Sequence, residues 1–219
     1  MRSRALMTAA LLAAAGASAA AFQPTSAPKS QPGGKAPQPP IKPAQPPTGA
    51  PPMDEHTQQM LKDMQPGPEH VRLQKLAGDW TTETTMEGMP QPVPKTAGTE
   101  KISSSLGGRF LHEQGTGEMM GMPMESFKVW GYNNGSHKYE ATWTWTMSTS
   151  LLHMTGESKD GGKTIDWQAW FEGAGGKREE FKCQHAFTDD DHFTVKMYGG
   201  KMPDGTPGPT MTSVYTRKK

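Results

Sequence analysis

Cys183 and His185 stand two residues apart in Phe181-Lys182-Cys183-Gln184-His185-Ala186-Phe187, a run that alternates apolar and polar side chains. In an extended strand both project to one side, about 7 Å apart. That spacing suits a thiolate–imidazole pair or, with a third ligand, a metal site. It equally suits an inert core thiol. His112 and His153 lie in strand-like runs of ambiguous phase. A single inward histidine could also hold a haem. Four methionines, Met119, Met120, Met122 and Met124, crowd one short stretch, and Met86 and Met89 another. Thioethers are soft donors that select Cu(I); they also make an adaptable apolar lid. We assign the four to a lid over a barrel mouth and assign no metal.

Familiar enzyme patterns are missing. The chain has neither G-x-S-x-G nor H-E-x-x-H,. Gly173-Ala174-Gly175-Gly176-Lys177 lacks the spacing and hydroxyl of a phosphate loop,. Asp189-Asp190-Asp191 lacks the alternating ligands of a calcium loop and reads as a solvated turn,. Glu113, Glu118 and Glu172 cannot be paired from sequence, so the catalytic residues stay unknown. The expectation is a non-catalytic protein without a cofactor. The alternatives are an enzyme using an inward His/Cys or acid, and a Cu(I)- or haem-binding protein.

The elements that must position these residues are strands. From Trp80 onward the apolar period is two. The cleanest case is Tyr139, Ala141, Trp143, Trp145 and Met147 alternating with Glu140, Thr142, Thr144 and Thr146, which gives one aromatic and one polar face. Ile165, Trp167, Ala169 and Phe171 repeat the pattern, as do Phe193, Val195 and Met197. Strands are expected at about 79–87, 98–105, 109–118, 125–132, 139–147, 150–158 and 210–217, with three more around 165–171, 181–187 and 193–197. Turn signals separate them, among them Gly107-Gly108, Asn133-Asn134-Gly135-Ser136 and Asp160-Gly161-Gly162,. No long helix intervenes. The natural architecture is an all-β, antiparallel up-and-down barrel of eight to ten strands, because closure removes exposed edges. A β-sandwich is the competing fold. Inside a barrel, Trp143, Trp145, Trp167, Phe171, Phe181, His185 and Phe193 would line a space for a small apolar or aromatic ligand, or would simply fill it.

Two short helices precede the strands. Asp54 can cap the first, where Met60, Leu61 and Met64 form a narrow apolar stripe,. Pro68 suits the first turn of the second, where Leu73, Leu76 and Ala77 share a face,. Gly78-Asp79-Trp80 then enters the first strand. This Gly-x-Trp resembles the signature of lipocalins and the wider calycin barrels. There the tryptophan plugs the closed end, and a basic residue of the last strand lies across it. The resemblance implies that Gly78, Trp80 and Arg217 close the barrel.

A second resemblance covers about residues 68–218. Leu106-Gly107-Gly108-Arg109-Phe110-Leu111, Gly117-Glu118-Met119-Met120-Gly121-Met122-Pro123, Gly131-Tyr132-Asn133-Asn134, Lys138-Tyr139, Thr142-Trp143, Met147-Ser148-Thr149, Asp190-Asp191-His192 and Tyr215-Thr216-Arg217-Lys218 together resemble the bacterial domain-of-unknown-function 1579 family. Asn133 stands where that pattern leads one to expect Asp, and Ser150 where it leads one to expect Gly; both concern turns. The likeness implies a calycin-type barrel and no established activity.

The remaining chain is accessory. Arg2 and Arg4, the Ala- and Leu-rich run that follows, and Ala17-Ser18-Ala19 or Ala19-Ala20-Ala21 read as a signal peptide over residues 1–21, cleaved near Ala19 or Ala21,. The expected location is the periplasm or the exterior. Residues 22–52 hold eleven prolines and read as a disordered linker,. Residues 53–219 are the barrel domain. Without Arg2 and Arg4 the 23 basic residues become 21, against 22 acidic ones, a formal charge of −1. A near-neutral chain is not a general nucleic-acid binder. No later segment has the length and apolarity for stable membrane insertion. One cysteine forms no internal disulfide, so packing must supply the stability,. The sequence carries no signal for an oligomeric state.

Overall fold

The computed structural model describes residues 53–200 and 206–219. The signal-peptide and linker readings therefore lie outside the described residues. Among the described residues two α-helices, α1 (Glu55–Asp63) and α2 (Pro68–Gln74), lead into ten strands. These are β1 (Gly78–Glu87), β2 (Thr96–Ser105), β3 (Phe110–Met119), β4 (Met122–Asn133), β5 (Lys138–Trp145), β6 (Leu152–Glu157), β7 (Thr164–Glu172), β8 (Arg178–Phe187), β9 (His192–Tyr198) and β10 (Thr210–Arg217). Each strand pairs antiparallel with the next, and β10 returns to pair with β1, closing the barrel. The ring excludes the two-layer sandwich.

The turns follow from local chemistry. Asn133 accepts from the backbone N–H groups of Gly135 and Ser136 and so bends the β4–β5 hairpin,. The methionine-rich stretch differs from the expected loop. The β3–β4 ladder runs out to Met119 opposite Met122, and only Met120-Gly121 turn, at φ 53° and 79°. Two positive φ values in a two-residue connection match the twist of the flanking strands. Strand β5 also ends at Trp145, two residues short of Met147, which packs half-buried beside the core.

One end of the barrel is sealed by α2 and the segment after it. Leu73 and Leu76 are buried there, and the Trp80 indole N–H donates to the Leu76 carbonyl at 3.0 Å. Phe193 meets the Trp80 ring edge-on at 4.9 Å and stacks on Tyr215 at 4.1 Å. The Arg217 guanidinium lies 4.2 Å from the Trp80 ring and donates to the carbonyls of Lys75 and Ala77 at 2.7 and 2.8 Å. Gly78 has φ 148°, and a Cβ there would stand 2.5 Å from Arg217 Nη1. This position therefore admits little but glycine. Helix α1 contributes no buried residue, and its Met60, Leu61 and Met64 stripe is exposed.

Candidate functional site

The interior is neither empty nor completely filled. Toward the sealed end Trp130, Tyr139, Trp167 and Phe193 pack into one buried cluster. Trp167 contacts Trp130, Tyr139 and His185 with ring centroids 5.5–6.2 Å apart. Above this layer a cavity of about 90 Å³ opens, bounded by inward residues of several strands. Met86, Met119, Met120 and Met124 line its apolar side together with Trp143. A smaller chamber of about 60 Å³ adjoins it and is lined by Trp145, Phe171 and Phe181. Trp143, Met119, Met197 and Met211 border both spaces. The Trp143 and Trp145 rings lie tilted by 32° to one another, with centroids 4.8 Å apart.

The sequence-derived residues thus divide into three places. Trp143 and His185 line the larger cavity, and Trp145, Phe171 and Phe181 line the smaller one. Trp167 and Phe193 line neither; they are packing for the sealed end. Of the four expected lid methionines, Met119, Met120 and Met124 border the larger cavity and Met122 borders neither. They sit on a tight hairpin rather than on a free flap.

The floor of the larger cavity is ionic. Register places Glu113 on β3 directly opposite Lys128 on β4, and Nζ lies 2.7 Å from Oε2. Both side chains are almost completely buried. Such a pair must offset a desolvation cost of several kcal/mol per ion, so its presence is weak support for stability and strong reason to look for a role. The Tyr215 hydroxyl donates to Glu113 Oε1 at 3.3 Å. Burial, followed by the Glu113 and Glu100 carboxylates, pushes its hydroxyl far above the usual phenol range, so it stays a donor,.

Glu100 enters from β2 and occupies space left by Gly115, the residue opposite it on β3. A Cβ at Gly115 would collide with the Glu100 carboxylate. Burial first, then the Glu113 carboxylate, raise the Glu100 carboxyl from 4.5 to about 8, against the opposing pull of Lys128,. Its Oε2 has no hydrogen-bond partner among the described residues.

Cys183 and His185 both face this cavity. They do not form an activated pair. Burial pushes the Cys183 thiol up to about 12. Burial, with Lys128 adding to it, holds the His185 imidazole well below its ordinary range. A protonated thiol beside a neutral ring is a poor nucleophile. His185 is 2% exposed, and neither ring nitrogen has a hydrogen-bond partner among the described residues. His112 and His153 face outward: His112 meets Ser105 at 3.0 Å, and His153 stacks on Trp170 at 4.3 Å. No group of three or more His, Cys, Asp or Glu among the described residues is arranged to hold a metal.

Composition and motif reading missed Glu100, Lys128 and Tyr215, and left Glu113 unpaired. A signal was present in the alternation. Glu100 is in phase with Ile102, Glu113 with Leu111, and Lys128 with Trp130. Charged residues in the buried phase of a strand are the exception that marks a site.

These features define a closed, ten-stranded, calycin-like barrel with a small interior cavity over a buried ionic floor. The chain belongs to the family described as protein of unknown function (DUF1579), whose pattern matches residues 65–217. Rv2717c from M. tuberculosis has a similar structure, with a TM-score of 0.52 at 14% identity, covering 71% of this chain and 100% of that one. The S-type phycobiliprotein lyase CPES from Guillardia theta gives 0.48 at 10% identity, covering 70% and 99%. At 14% identity the likeness to Rv2717c concerns the fold alone. No curated protein matches the chain significantly. No helix of the described residues is long and apolar enough to cross a membrane.

Proposed function

We propose that this protein is a non-catalytic barrel that encloses a small, partly apolar molecule in the larger cavity. One observation carries the reading: thioethers and the Trp143 indole share one cavity of about 90 Å³ with the buried polar side chains of Glu113, Lys128 and His185. A ligand site commonly combines an apolar wall with a few convergent polar groups. The volume restricts the guest to a few heavy atoms, since an apolar cavity of about 150 Å³ accepts a benzene. The smaller chamber offers a second step past Trp143 and Met119. The protonated Cys183 thiol argues against a thiolate enzyme in the same barrel. Export through the N-terminal segment belongs to the same proposal, since it would put the cavity in contact with extracytoplasmic solutes.

Native mass spectrometry after exposure to a library of small molecules tests the reading. One-to-one adducts are expected. They should vanish in Met86→Trp, which fills the mouth without touching the sealed end. Absence of any adduct, or adducts indifferent to that substitution, would refute it. Immunoblotting of cell fractions for a shortened chain tests export.

A further inference from the structure

The ionic floor has two carboxyl groups and one ammonium. Lys128 is the one cation among the described residues lining the cavity, and it is already paired with Glu113 at 2.7 Å. Glu100 comes from the neighbouring strand with Oε2 unpartnered among the described residues. His185, buried and without a hydrogen-bond partner among them, presents a ring to the same cavity. A neutral imidazole has one lone pair that accepts a hydrogen bond. Tyr215 donates to Glu113, which leaves its oxygen lone pairs as acceptors,. The floor is therefore rich in acceptors, and it is one positive charge short once Glu100 gives up its proton.

We propose that the cavity takes a small organic cation, a primary ammonium with a short apolar body, seated between the Glu100 carboxylate and the His185 ring. This rests on the ligand-binding reading above and names the ligand class. The ammonium balances the second carboxylate, and its N–H groups supply donors to Glu100 and His185. Its alkyl body runs along Met86, Met119 and Trp143,. An anionic guest fits poorly, because it meets two carboxyl groups and an ammonium that already has a partner. A neutral alcohol fits the walls but leaves Glu100 protonated and forms no ion pair with it.

The charge balance makes the binding proton-linked. The titratable groups that share the cavity with Glu100 are Glu113 and the exposed Glu118 from β3, Lys128 from β4, Cys183 and His185 from β8, and Tyr215 from β10. Without a guest Glu100 holds its proton up to about pH 8. Seating an ammonium beside it expels that proton. Amine affinity should therefore rise about tenfold per pH unit below that value and level off above it.

Titration calorimetry with n-butylamine, n-butanol and butyrate, three probes with the same short body, tests this. At pH 7 the amine is expected to bind at least tenfold tighter than the alcohol, with butyrate weakest. Repeating the titration in buffers of different ionisation enthalpy should show about one proton released per amine. Glu100→Gln copies the shape of the neutral acid, so it should keep alcohol binding and lose both the amine preference and the proton release. Alcohol bound as tightly as amine, or tighter butyrate, overturns the cation assignment and leaves ligand binding standing. Failure of all three probes in a folded protein overturns both.

Discussion

Replacing Arg217 by Met removes the clamp over Trp80 while keeping much of the stem's bulk. Its effect can be worked from the contacts. The guanidinium lies 4.2 Å from an indole that is fully buried, and the arginine side chain is only 19% exposed. Such a stacked cation contributes about 1–2 kcal/mol. The carbonyls of Lys75 and Ala77 lose a charged donor, at about 1 kcal/mol each after water replaces it,. The Asp191 contact at 3.2 Å is partly exposed and adds at most about 1 kcal/mol,. These contributions overlap, because one side chain makes them all. A total of about 3 kcal/mol is expected, or a fall of about 1–2 M in the urea midpoint at an ordinary slope. Equilibrium unfolding followed by tryptophan fluorescence reads it directly. A double-mutant cycle with Trp80→Phe should isolate a coupling of about 1 kcal/mol. A loss below 0.5 kcal/mol, on the order of an ordinary surface change, would show that the barrel end is held by Leu73, Leu76 and Phe193 alone.

Three further outcomes follow from the same geometry. Gly156→Ala would place a Cβ 2.7 Å from the Trp167 ring and 2.9 Å from Ile165 Cγ2, and should cost about 2–3 kcal/mol in thermal or urea unfolding, since the packed sealed end cannot yield,. Cys183 should resist a maleimide or disulfide reagent at pH 8 in the native state and react promptly in urea, because burial raises its thiol to about 12 and shields it; rapid native labelling would contradict that placement. Glu100 binds its proton more tightly folded, at about 8, than unfolded, at 4.5, so its contribution to stability is complete below about 4.5 and is lost as pH rises to about 8,. Glu100→Gln should accordingly gain on the wild type between those values, by on the order of 1–3 kcal/mol at pH 8, in urea titrations across the range.

Period-two alternation and turn residues determined the strands of this protein without help from the structure. Trp143 and Trp145 on one strand, or Cys183 and His185 on another, share a face because successive side chains in an extended chain point to opposite sides. The same regularity carried the barrel, while Gly78, Trp80 and Arg217 could be named as its closure only through the resemblance of Gly-x-Trp to the calycin signature. Tertiary structure decided what no single strand contains. That Glu113 meets Lys128 depends on the register of β3 against β4, and that Glu100 joins them depends on the room left by Gly115. Whether an inward ring lines a cavity or fills it is likewise a matter of height along the barrel. Trp167 lies in the sealed layer and Trp143 above it, although both sit in the same alternating pattern. Charge is long-ranged and pairing is non-local, so the acidity of Glu100 and the neutrality of His185 arise only once ten strands have closed around them,.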